Sequence, residues 1–571
     1  MTRMFRTGGH RGARRVAVVA AAATVAAGLI SAGVALTEAP ASAAAASNTL
    51  VVNANQVLRP VTHVATGSLY GLANATQPSV ALAQAIKPNT FVQMPSGGKQ
   101  QPDGNILVVA PTAAAVGAKL VDRLSDYYAG WPYQFSWSTW TPFINSQIAA
   151  MKASSYYSSI TAYEPWNESD GTWLSANGTY EAFWTTTYRQ IRTLDATKPI
   201  QGPSFSDNIS DMKNFLTNAV STNTVPDIIS WHELSSASKI AGDVATVTAL
   251  ETSLGITPRP IAIEEYAAPA EVGLPGPLVS YVSKFERLGI HDAELAFWNQ
   301  SGALGDLLTS KGGSPNAAYW MYTWYAAMSG NMVVTTPPAQ TGIDGFASVP
   351  SGNNPVSIVA GNCSGSCAVT VNGLNLGNTV TVKVEQTASL GRTVASSGAT
   401  TVSTATYTPS NGTISVPITM VTNNAYRITI TGTGTTPTTS PATTTSPAPT
   451  TSPATTTTPA TTTSSAPTTT PAGTRTCTAA YAVTSSWTGG FVANVTVAAG
   501  STSISGWRVT LNLPSGAAIA NIWNGVNSGT TGTVTVSNAS YNGAVSAGQS
   551  ASFGFQGTGS GSGATVSCTA S

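Results

Sequence analysis

An uncharged stretch of Thr, Pro, Ser and Ala at residues 433–474 is the strongest constraint on how this chain folds. Such a stretch has too few apolar side chains to bury a core, and its prolines keep the backbone extended. It therefore predicts a semi-rigid linker. The chain of 571 residues must then consist of at least two separately folded parts.

The chain before the linker begins with alternating short apolar runs and amphipathic stretches. Helical patterns cover Tyr180 to Leu194 and Leu278 to Leu288. The apolar runs give eight strand candidates, at residues 64–70, 90–94, 133–137, 160–163, 200–203, 227–232, 261–265 and 293–298. Eight βα repeats within residues 48–330 predict a (β/α)8 barrel, the TIM-barrel fold.

Two later segments have a different texture, in which Val, Thr, Ser and Gly alternate and turn residues punctuate the runs. One covers residues 331–432 and the other covers residues 475–571. Period-two alternation of this kind is typical of all-β sandwiches. The sequence thus predicts an accessory β-sandwich after the barrel and a second β-sandwich after the linker.

The first residues have the pattern of an export signal. Five Arg residues precede an apolar stretch from Val16 to about Leu36, and Ala41-Ser42-Ala43 then offers a small-residue cleavage site. A membrane anchor is the alternative interpretation. We expect residues 1–43 to be a cleaved signal peptide of a secreted, extracellular protein without a membrane attachment; the export route stays open.

Composition limits the classes of ligand. Only 9% of residues are charged and the net charge is +1, which excludes a strong electrostatic attraction to nucleic acid or anionic membranes. The 13 Trp residues favour uncharged ligands such as sugars.

The four Cys residues suit an oxidising compartment. Cys363 lies close to Cys367, and Cys477 and Cys568 bracket the last segment, so two local disulfides are the simplest pairing. A metal site would need clustered Cys and His ligands, and the chain has only four His residues. We therefore expect no metal and no cofactor.

Carboxylates follow two of the predicted barrel strands. The fourth strand leads into Tyr163–Glu168, which reads Tyr-Glu-Pro-Trp-Asn-Glu, and the seventh ends in Ile263–Tyr266, which reads Ile-Glu-Glu-Tyr. Catalytic groups of (β/α)8 barrels lie at these carboxyl ends of strands. Glycosidic hydrolysis needs such a pair, one carboxyl group protonated to assist the leaving oxygen and one ionised.

The Glu-x-Trp-Asn-Glu motif resembles that of glycoside hydrolase clan A, and most closely family 39. The other matching segments are Gly67–Gly71, Gly202–Ser204, Ser230–His232 and Phe297–Asn299. Family members usually have Pro after the acid Glu, where this chain has Ser169.

The resemblance implies roles for individual residues. Glu168 would be the general acid/base, Asn167 would bind the sugar 2-hydroxyl, and His232 would lie beside the nucleophile. Trp298 would form a sugar platform. The nucleophile would be Glu265, because the aromatic Tyr266 follows it, and we count Tyr266 among the substrate-binding residues.

Two carboxylates remain open to other assignments. Glu264 competes with Glu265 as nucleophile, since alternating side chains let only one of two neighbours point into the barrel. Glu164 is better explained as a buried partner of a basic group.

Residues 477–568 resemble carbohydrate-binding module family 2. The bracketing Cys pair, Ser485–Phe491, Gly506–Thr510 and Phe553–Phe555 carry the likeness. The family presents a flat strip of aromatic rings to cellulose, and the resemblance assigns that strip to Trp487, Trp523 and Tyr541.

These observations predict a retaining glycoside hydrolase that degrades plant cell-wall polysaccharide and is anchored to cellulose. The resemblance implies a β-xylosidase-like or related hemicellulase activity by double displacement. An endo-acting β-glucanase or mannanase of clan A is the alternative within the class. A catalytically inactive carbohydrate-binding protein is the alternative outside it, and the presence of both carboxylates disfavours it.

Overall fold

The structure, a computed structural model, describes residues 48–432 and 475–571, apart from residues 488, 524, 540 and 541. It does not describe the side chains of residues 484, 485, 487, 521 and 523. The predicted signal peptide and the predicted linker lie outside the described residues. Among the described helices, none is both long enough and apolar enough to cross a bilayer.

The first described part alternates strands and helices along the chain. Its strands are β1 (Thr49–Pro60), β2 (Gly67–Leu69), β3 (Thr90–Gln93), β4 (Lys119–Arg123), β5 (Ile160–Glu164), β6 (Gln201–Phe205), β7 (Ile228–Glu233), β8 (Ile261–Tyr266) and β9 (Asp292–Leu295). Its helices are α1 (Val80–Ala85), α2 (Ile106–Val116), α3 (Trp137–Ala153), α4 (Ser169–Thr172), α5 (Tyr180–Leu194), α6 (Met212–Ser221), α7 (Ile240–Ser253), α8 (Pro275–Leu288) and α9 (Ala317–Ala326).

Strands β2 to β9 form one parallel sheet in the order β5-β4-β3-β2-β9-β8-β7-β6. A bridge between Tyr163 and Ile200 joins its two edge strands and closes the ring. The predicted (β/α)8 barrel is therefore confirmed. The predicted helices are confirmed as α5, which Thr179 caps by accepting a hydrogen bond from the Ala182 amide, and α8, which starts at Pro275.

The third predicted strand was wrong. Residues 133–137 form the loop before α3 and the first residue of that helix, and the third barrel strand is β4. Strand β4 carries Asp122 and Arg123, both buried, and charged side chains are uncommon in a strand that is buried on both faces. Both have polar partners that the local pattern did not reveal: Asp122 accepts a hydrogen bond from Gln147 of α3, and Arg123 donates to carboxylates of the barrel interior.

Strand β1 lies outside the barrel, although the predicted barrel domain began at residue 48. It pairs in parallel with β13 and antiparallel with β10 of the following sheet. The strands of that sheet are β10 (Asn331–Thr336), β11 (Asp344–Val349), β12 (Val356–Gly361), β13 (Gly365–Asn372), β14 (Val380–Thr387), β15 (Thr400–Tyr407), β16 (Ile414–Met420) and β17 (Ala425–Gly432). Residues from all parts of the nine-stranded sheet share one apolar core.

Helix α8 joins the barrel to this sheet. Its residues are buried nearly along its whole length, and it packs on β11 and β12. At this contact the buried Asp344 accepts hydrogen bonds from Lys284 at 2.9 Å and from Arg287 at 2.7 Å. One carboxylate thus pairs with two cations between the barrel and the sheet.

The last part of the chain consists of two four-stranded sheets around a separate core. The strands are β18 (Cys477–Trp487), β19 (Gly490–Ala499), β20 (Trp507–Asn512), β21 (Ala518–Trp523), β22 (Gly525–Ser528), β23 (Thr533–Asn538), β24 (Ser550–Thr558) and β25 (Thr565–Ala570). Trp507 is buried and stacks on Phe553 with ring centroids 5.6 Å apart. The predicted second sandwich is confirmed.

Both predicted disulfides are confirmed. Cys363 is bonded to Cys367 next to β13, and Cys477 of β18 is bonded to Cys568 of β25.

We expect Asp344→Ala to lower the free energy of unfolding by about 3–5 kcal/mol, because the buried Lys284 would lose its counter-ion. Guanidinium unfolding followed by Trp fluorescence measures this change. The half-exposed Lys383 is the matched control, and Lys383→Ala should cost less than about 1 kcal/mol. Equal losses in the two variants would contradict the interpretation.

Candidate active site

Glu168 lies just beyond β5, at the mouth of the barrel, and is the residue that precedes α4. Its backbone has a left-handed φ of 50°, which is unusual for a residue with a side chain. The amide of Glu168 donates a hydrogen bond of 2.8 Å to the carbonyl of Ser204, and the Thr172 hydroxyl donates to the Glu168 carbonyl. These bonds, with the wholly buried Trp166 beneath, hold the strained residue in one position.

A β-bulge on β8 presents two carboxylates to the barrel axis. Trp231 pairs with Ile263, but His232 pairs with Glu265, so Glu264 is the extra residue. The bulge breaks the alternation of side chains, which the sequence reasoning had taken as strict. As a result, carboxylate oxygens of both Glu264 and Glu265 lie 3.8 Å from His232 Nε2.

The two carboxylates differ in depth. The Glu264 side chain is wholly buried and accepts a hydrogen bond from Gln201. The Glu265 side chain is 12% exposed and therefore reaches the mouth of the barrel. Only Glu265 is placed to meet a substrate that enters from solvent.

Arg123, at the end of β4, is the residue that the sequence analysis missed. It is buried and donates from Nη1 to Glu265 Oε1 at 2.5 Å and from Nε to Glu164 at 3.0 Å. Burial lowers the pKa of Arg123, but the charges of Glu164 and Glu265 outweigh it and raise the pKa well above its ordinary value. The guanidinium thus stays charged and orients Glu265. A better assignment of the third strand would have found it.

Glu164 is the buried partner of Arg123. Burial raises the pKa of Glu164 well above its usual range, against the opposing effect of the Arg123 charge.

His232 connects the two predicted catalytic carboxylates. Its Nδ1 lies 2.9 Å from Glu168 Oε1, and its Nε2 faces Glu265. Burial lowers the pKa of His232, but the charges of Glu265 and Glu168 and the hydrogen bond to Glu168 prevail and raise it to about 9. The imidazole is therefore protonated at neutral pH and donates to Glu168.

Glu168, His232 and Glu265 each offer one ligand atom, and these three atoms lie within 4.8 Å of one another. The spacing would suit a metal ion as well as proton transfer. However, Nδ1 of His232 is already hydrogen-bonded to Glu168, and the cationic Arg123 already donates to Oε1 of Glu265, which disfavours a second cation there. The chemistry of this donor set favours proton transfer and nucleophilic attack.

The separation of the carboxylates indicates the stereochemical course. Retaining glycosidases hold their two carboxyl groups about 5–5.5 Å apart, and inverting enzymes about 6.5–9.5 Å apart. One oxygen of Glu168 and one oxygen of Glu265 lie no more than 4.8 Å apart, which is closer than the separation that an inverting mechanism needs. The geometry fits the retaining class.

The structure brings Trp298 and Asn167 to the mouth of the barrel but leaves Tyr266 out of the site. Trp298 is 44% exposed, with its indole Nε1 donating to the Ala267 carbonyl at 3.3 Å. Asn167 is buried beside Glu168, and its Oδ1 has no protein partner within the described residues. Tyr266 is wholly buried and its hydroxyl donates to the Ala65 carbonyl, because its side chain points away from the barrel axis.

The predicted cellulose-binding side chains lie outside the described residues. Trp487 ends β18 and Trp523 ends β21, but the structure does not describe their side chains, and it does not describe Tyr541.

Known proteins resemble both halves of the chain. Residues 477–571 match the family described as cellulose binding domain. The chain is 24% identical over 371 residues to 3-O-alpha-D-galactosyl-alpha-L-arabinofuranosidase of Bifidobacterium longum subsp. longum. This alignment covers 54% of this chain and 32% of that protein. It is 27% identical over 449 residues to 3-O-beta-L-arabinopyranosyl-alpha-L-arabinofuranosidase of Bifidobacterium pseudocatenulatum. This second alignment covers 66% of this chain and 45% of that protein. The chain thus spans less than half the length of these two relatives.

A solved structure matches more completely. The structure of N2152 from Neocallimastix frontalis superposes with a TM-score of 0.65 at 34% identity, over 67% of this chain and 99% of that chain.

The barrel and its carboxylate pair resemble those of the glycoside hydrolase class, to which the names of these relatives belong, and residues 477–571 match a cellulose binding domain. Within that class, the chain belongs to the same family as N2152, since it is 34% identical over nearly the whole of that protein.

The raised pKa of His232 makes stability depend on pH. The imidazole binds its proton more tightly in the folded state, so its contribution of about 3 kcal/mol is complete below pH 6.5 and is lost as the pH rises through about 9. Unfolding free energies of His232→Gln should therefore fall less steeply between pH 6.5 and 9 than those of the unmodified protein.

The exposed His291 supplies the control for this titration. His291→Gln should keep the pH dependence of the unmodified protein. The same slope in all three proteins would refute a charged His232.

Proposed function

We propose that this chain is a retaining α-L-arabinofuranosidase of clan A, most like family 39. The observation that carries the reaction type is the closeness of Glu168 and Glu265 beside Arg123 and His232. The sugar is proposed from the two relatives, whose names both specify an arabinofuranoside that bears a further sugar at O-3. The sequence resemblance implied xylose as the glycone, and these relatives favour arabinose instead.

In the first step, protonated Glu168 gives its proton to the glycosidic oxygen while ionised Glu265 attacks the anomeric carbon. The C–O bond to the leaving group breaks and a covalent glycosyl ester forms on Glu265. In the second step, Glu168 removes a proton from water, and the oxygen of that water displaces Glu265. Two inversions give net retention.

The surrounding residues support each step. Arg123 donates from Nη1 to Oε1 of Glu265 and so orients the carboxylate for attack. His232 donates to Glu168 Oε1, which leaves the second oxygen for the glycosidic bond. Asn167 binds the sugar 2-hydroxyl in this proposal, and Trp298 stacks on the face of a sugar ring.

We also propose that the protein is secreted and anchored to cellulose near its arabinose-bearing substrate. The match of residues 477–571 to the cellulose binding domain supports this role. In this proposal Trp487, Trp523 and Tyr541 form the flat aromatic strip. Such a strip would bind cellulose because the C–H groups on a pyranose face stack on aromatic rings. Residues 433–474, the predicted linker, connect the cellulose binding domain to the preceding part of the chain.

A product-resolved assay tests the activity. The unmodified protein is incubated with arabinan, arabinogalactan, arabinoxylan, xylan, mannan, β-glucan and cellulose, and the products are separated and identified. Release of arabinose, or of a disaccharide that ends in arabinose, is expected. Release of xylose alone would favour a β-xylosidase instead, and release of long oligosaccharides would favour an endo-acting enzyme.

Three variants test the catalytic roles. Glu265→Gln should lower kcat by about 10⁴-fold or more, whereas the deeper Glu264→Gln should keep far more activity. Glu168→Ala should lose about 10²–10⁴-fold, and azide should restore turnover with an activated substrate, because this anion can attack the ester without a general base. ¹H NMR of the first product should show retained configuration. A first product of inverted anomeric configuration would overturn the assignment. So would a large loss of kcat in Glu264→Gln with little loss in Glu265→Gln.

Cellulose binding has its own test. The double variant Trp487→Ala/Trp523→Ala should bind microcrystalline cellulose about tenfold more weakly or worse, since large aromatic contacts dominate such interfaces. Hydrolysis of a soluble arabinofuranoside should not change. Trp137→Ala, which removes an exposed Trp from α3 of the barrel, should bind cellulose normally. Unchanged binding by the double variant would reject the proposed strip.

A further inference from the structure

A segment of the β-sandwich reaches the mouth of the barrel. It connects β14 to β15 and carries Arg392, whose Nε donates to the Val272 carbonyl at 2.8 Å. The guanidinium also donates to the Pro269 carbonyl. Both carbonyls belong to the loop after β8, the strand that carries Glu265.

The loop after β8 is shaped to receive this side chain. Gly273 has a φ of 78°, and a Cβ atom there would lie 2.6 Å from Arg392 Cγ. Any larger residue at this position would both strain the backbone and displace the arginine.

Arg392 also lies beside the loop that carries Trp298. The buried Asp306 accepts hydrogen bonds from the amides of Trp298 at 2.6 Å and Asn299 at 2.8 Å, and its Oδ2 lies 3.8 Å from Arg392 Nε. The Asn316 side chain then donates to the carbonyl of Asp306 at 2.6 Å and to that of Arg392 at 2.8 Å. One arginine therefore contacts both loops that border the nucleophile.

The position of the Trp298 ring depends on both loops. Its amide is held by Asp306, and its indole Nε1 donates to Ala267, two residues after Glu265. A shift of either loop would therefore move or tilt the exposed ring.

The segment that carries Arg392 is itself firmly attached. The Thr387 hydroxyl donates to the Ala317 carbonyl at 2.8 Å, and the Ser396 amide donates to the Pro315 carbonyl at 2.9 Å. The Trp320 indole donates to the Ser396 carbonyl at 2.9 Å. These bonds fix Arg392 from both sides, so it can hold the loops without moving with them.

We propose that Arg392 is a positioning residue of the active site, through which the β-sandwich sets the orientation of the Trp298 sugar platform. The sandwich is in this way a part of the substrate-binding machinery and not an appended module. The statement about sugar binding rests on the proposed function, whereas the statement about the orientation of Trp298 does not.

The experiment compares Arg392→Ala, Arg392→Lys and Arg287→Ala. Arg287 lies on α8 and meets the same sheet at Asp344, where Lys284 still provides a cation. Its loss therefore weakens the contact between barrel and sheet without touching either loop. This control separates docking of the sandwich from positioning of the platform.

The first measurement does not need activity. The protein is labelled with 5-fluorotryptophan, and the ¹⁹F resonance of Trp298 is assigned with Trp298→Phe. Arg392→Ala should shift or broaden this resonance, Arg392→Lys should shift it less, and Arg287→Ala should leave it in place. No shift in Arg392→Ala would overturn the proposal whatever the enzyme hydrolyses.

The second measurement uses the arabinofuranoside substrate. Arg392→Ala should raise KM about tenfold with little change in kcat, because a platform binds the ground state and the transition state alike. In a Trp298→Ala background the same substitution should change KM less than about twofold, since both residues act through one ring. Fully additive effects would overturn the link between Arg392 and Trp298.

Discussion

The ion pairs of Arg123 with Glu164 and Glu265 are the contacts on which the rest of the barrel interior depends. A buried carboxylate without a partner costs several kcal/mol, and this interior also buries Glu264 and Glu294. Neither oxygen of Glu294 has a partner in the described structure, and burial raises the pKa of Glu294 well above its ordinary value. The barrel therefore accommodates its buried acids in two ways: Arg123 and His232 pair with Glu164, Glu265 and Glu168, and burial raises the pKa of the unpaired Glu294.

The reacting groups reach the mouth through two departures from regular geometry. The bulge at Glu264 turns the Glu265 side chain toward the opening of the barrel. Across the site, the left-handed backbone of Glu168 turns the Glu168 side chain toward the same opening. Each departure costs free energy locally. The bonds of Ser204 and Thr172 to the Glu168 backbone compensate for it, so the carboxylates are held in place before any substrate arrives.

The β-sandwich and the barrel are built as one unit. Strand β1 precedes the barrel in the chain but pairs within the nine-stranded sheet, so this sheet draws its strands from both sides of the barrel. Lys284 of helix α8 forms an ion pair with Asp344 of the sheet, and Arg392 connects the sheet to both loops beside Glu265. An alteration in the sandwich is thereby transmitted to the opening of the barrel.

The sequence alone determined the repeating βα order and the strand ends that carry Glu168 and Glu265, because periodicity and short motifs are local properties. It also determined both disulfides, because four Cys in two separate parts of the chain have one simplest pairing. Tertiary structure decided the rest. Arg123 was missed because a charged strand is explained only by partners on other strands, and Tyr266 was misassigned because strand direction alone does not say which neighbour faces the axis. The bulge that lets Glu264 and Glu265 share one face arises from pairing with β7. Arg392 lies between 76 and 123 residues from the loop residues that it contacts, and only the folded chain brings them together.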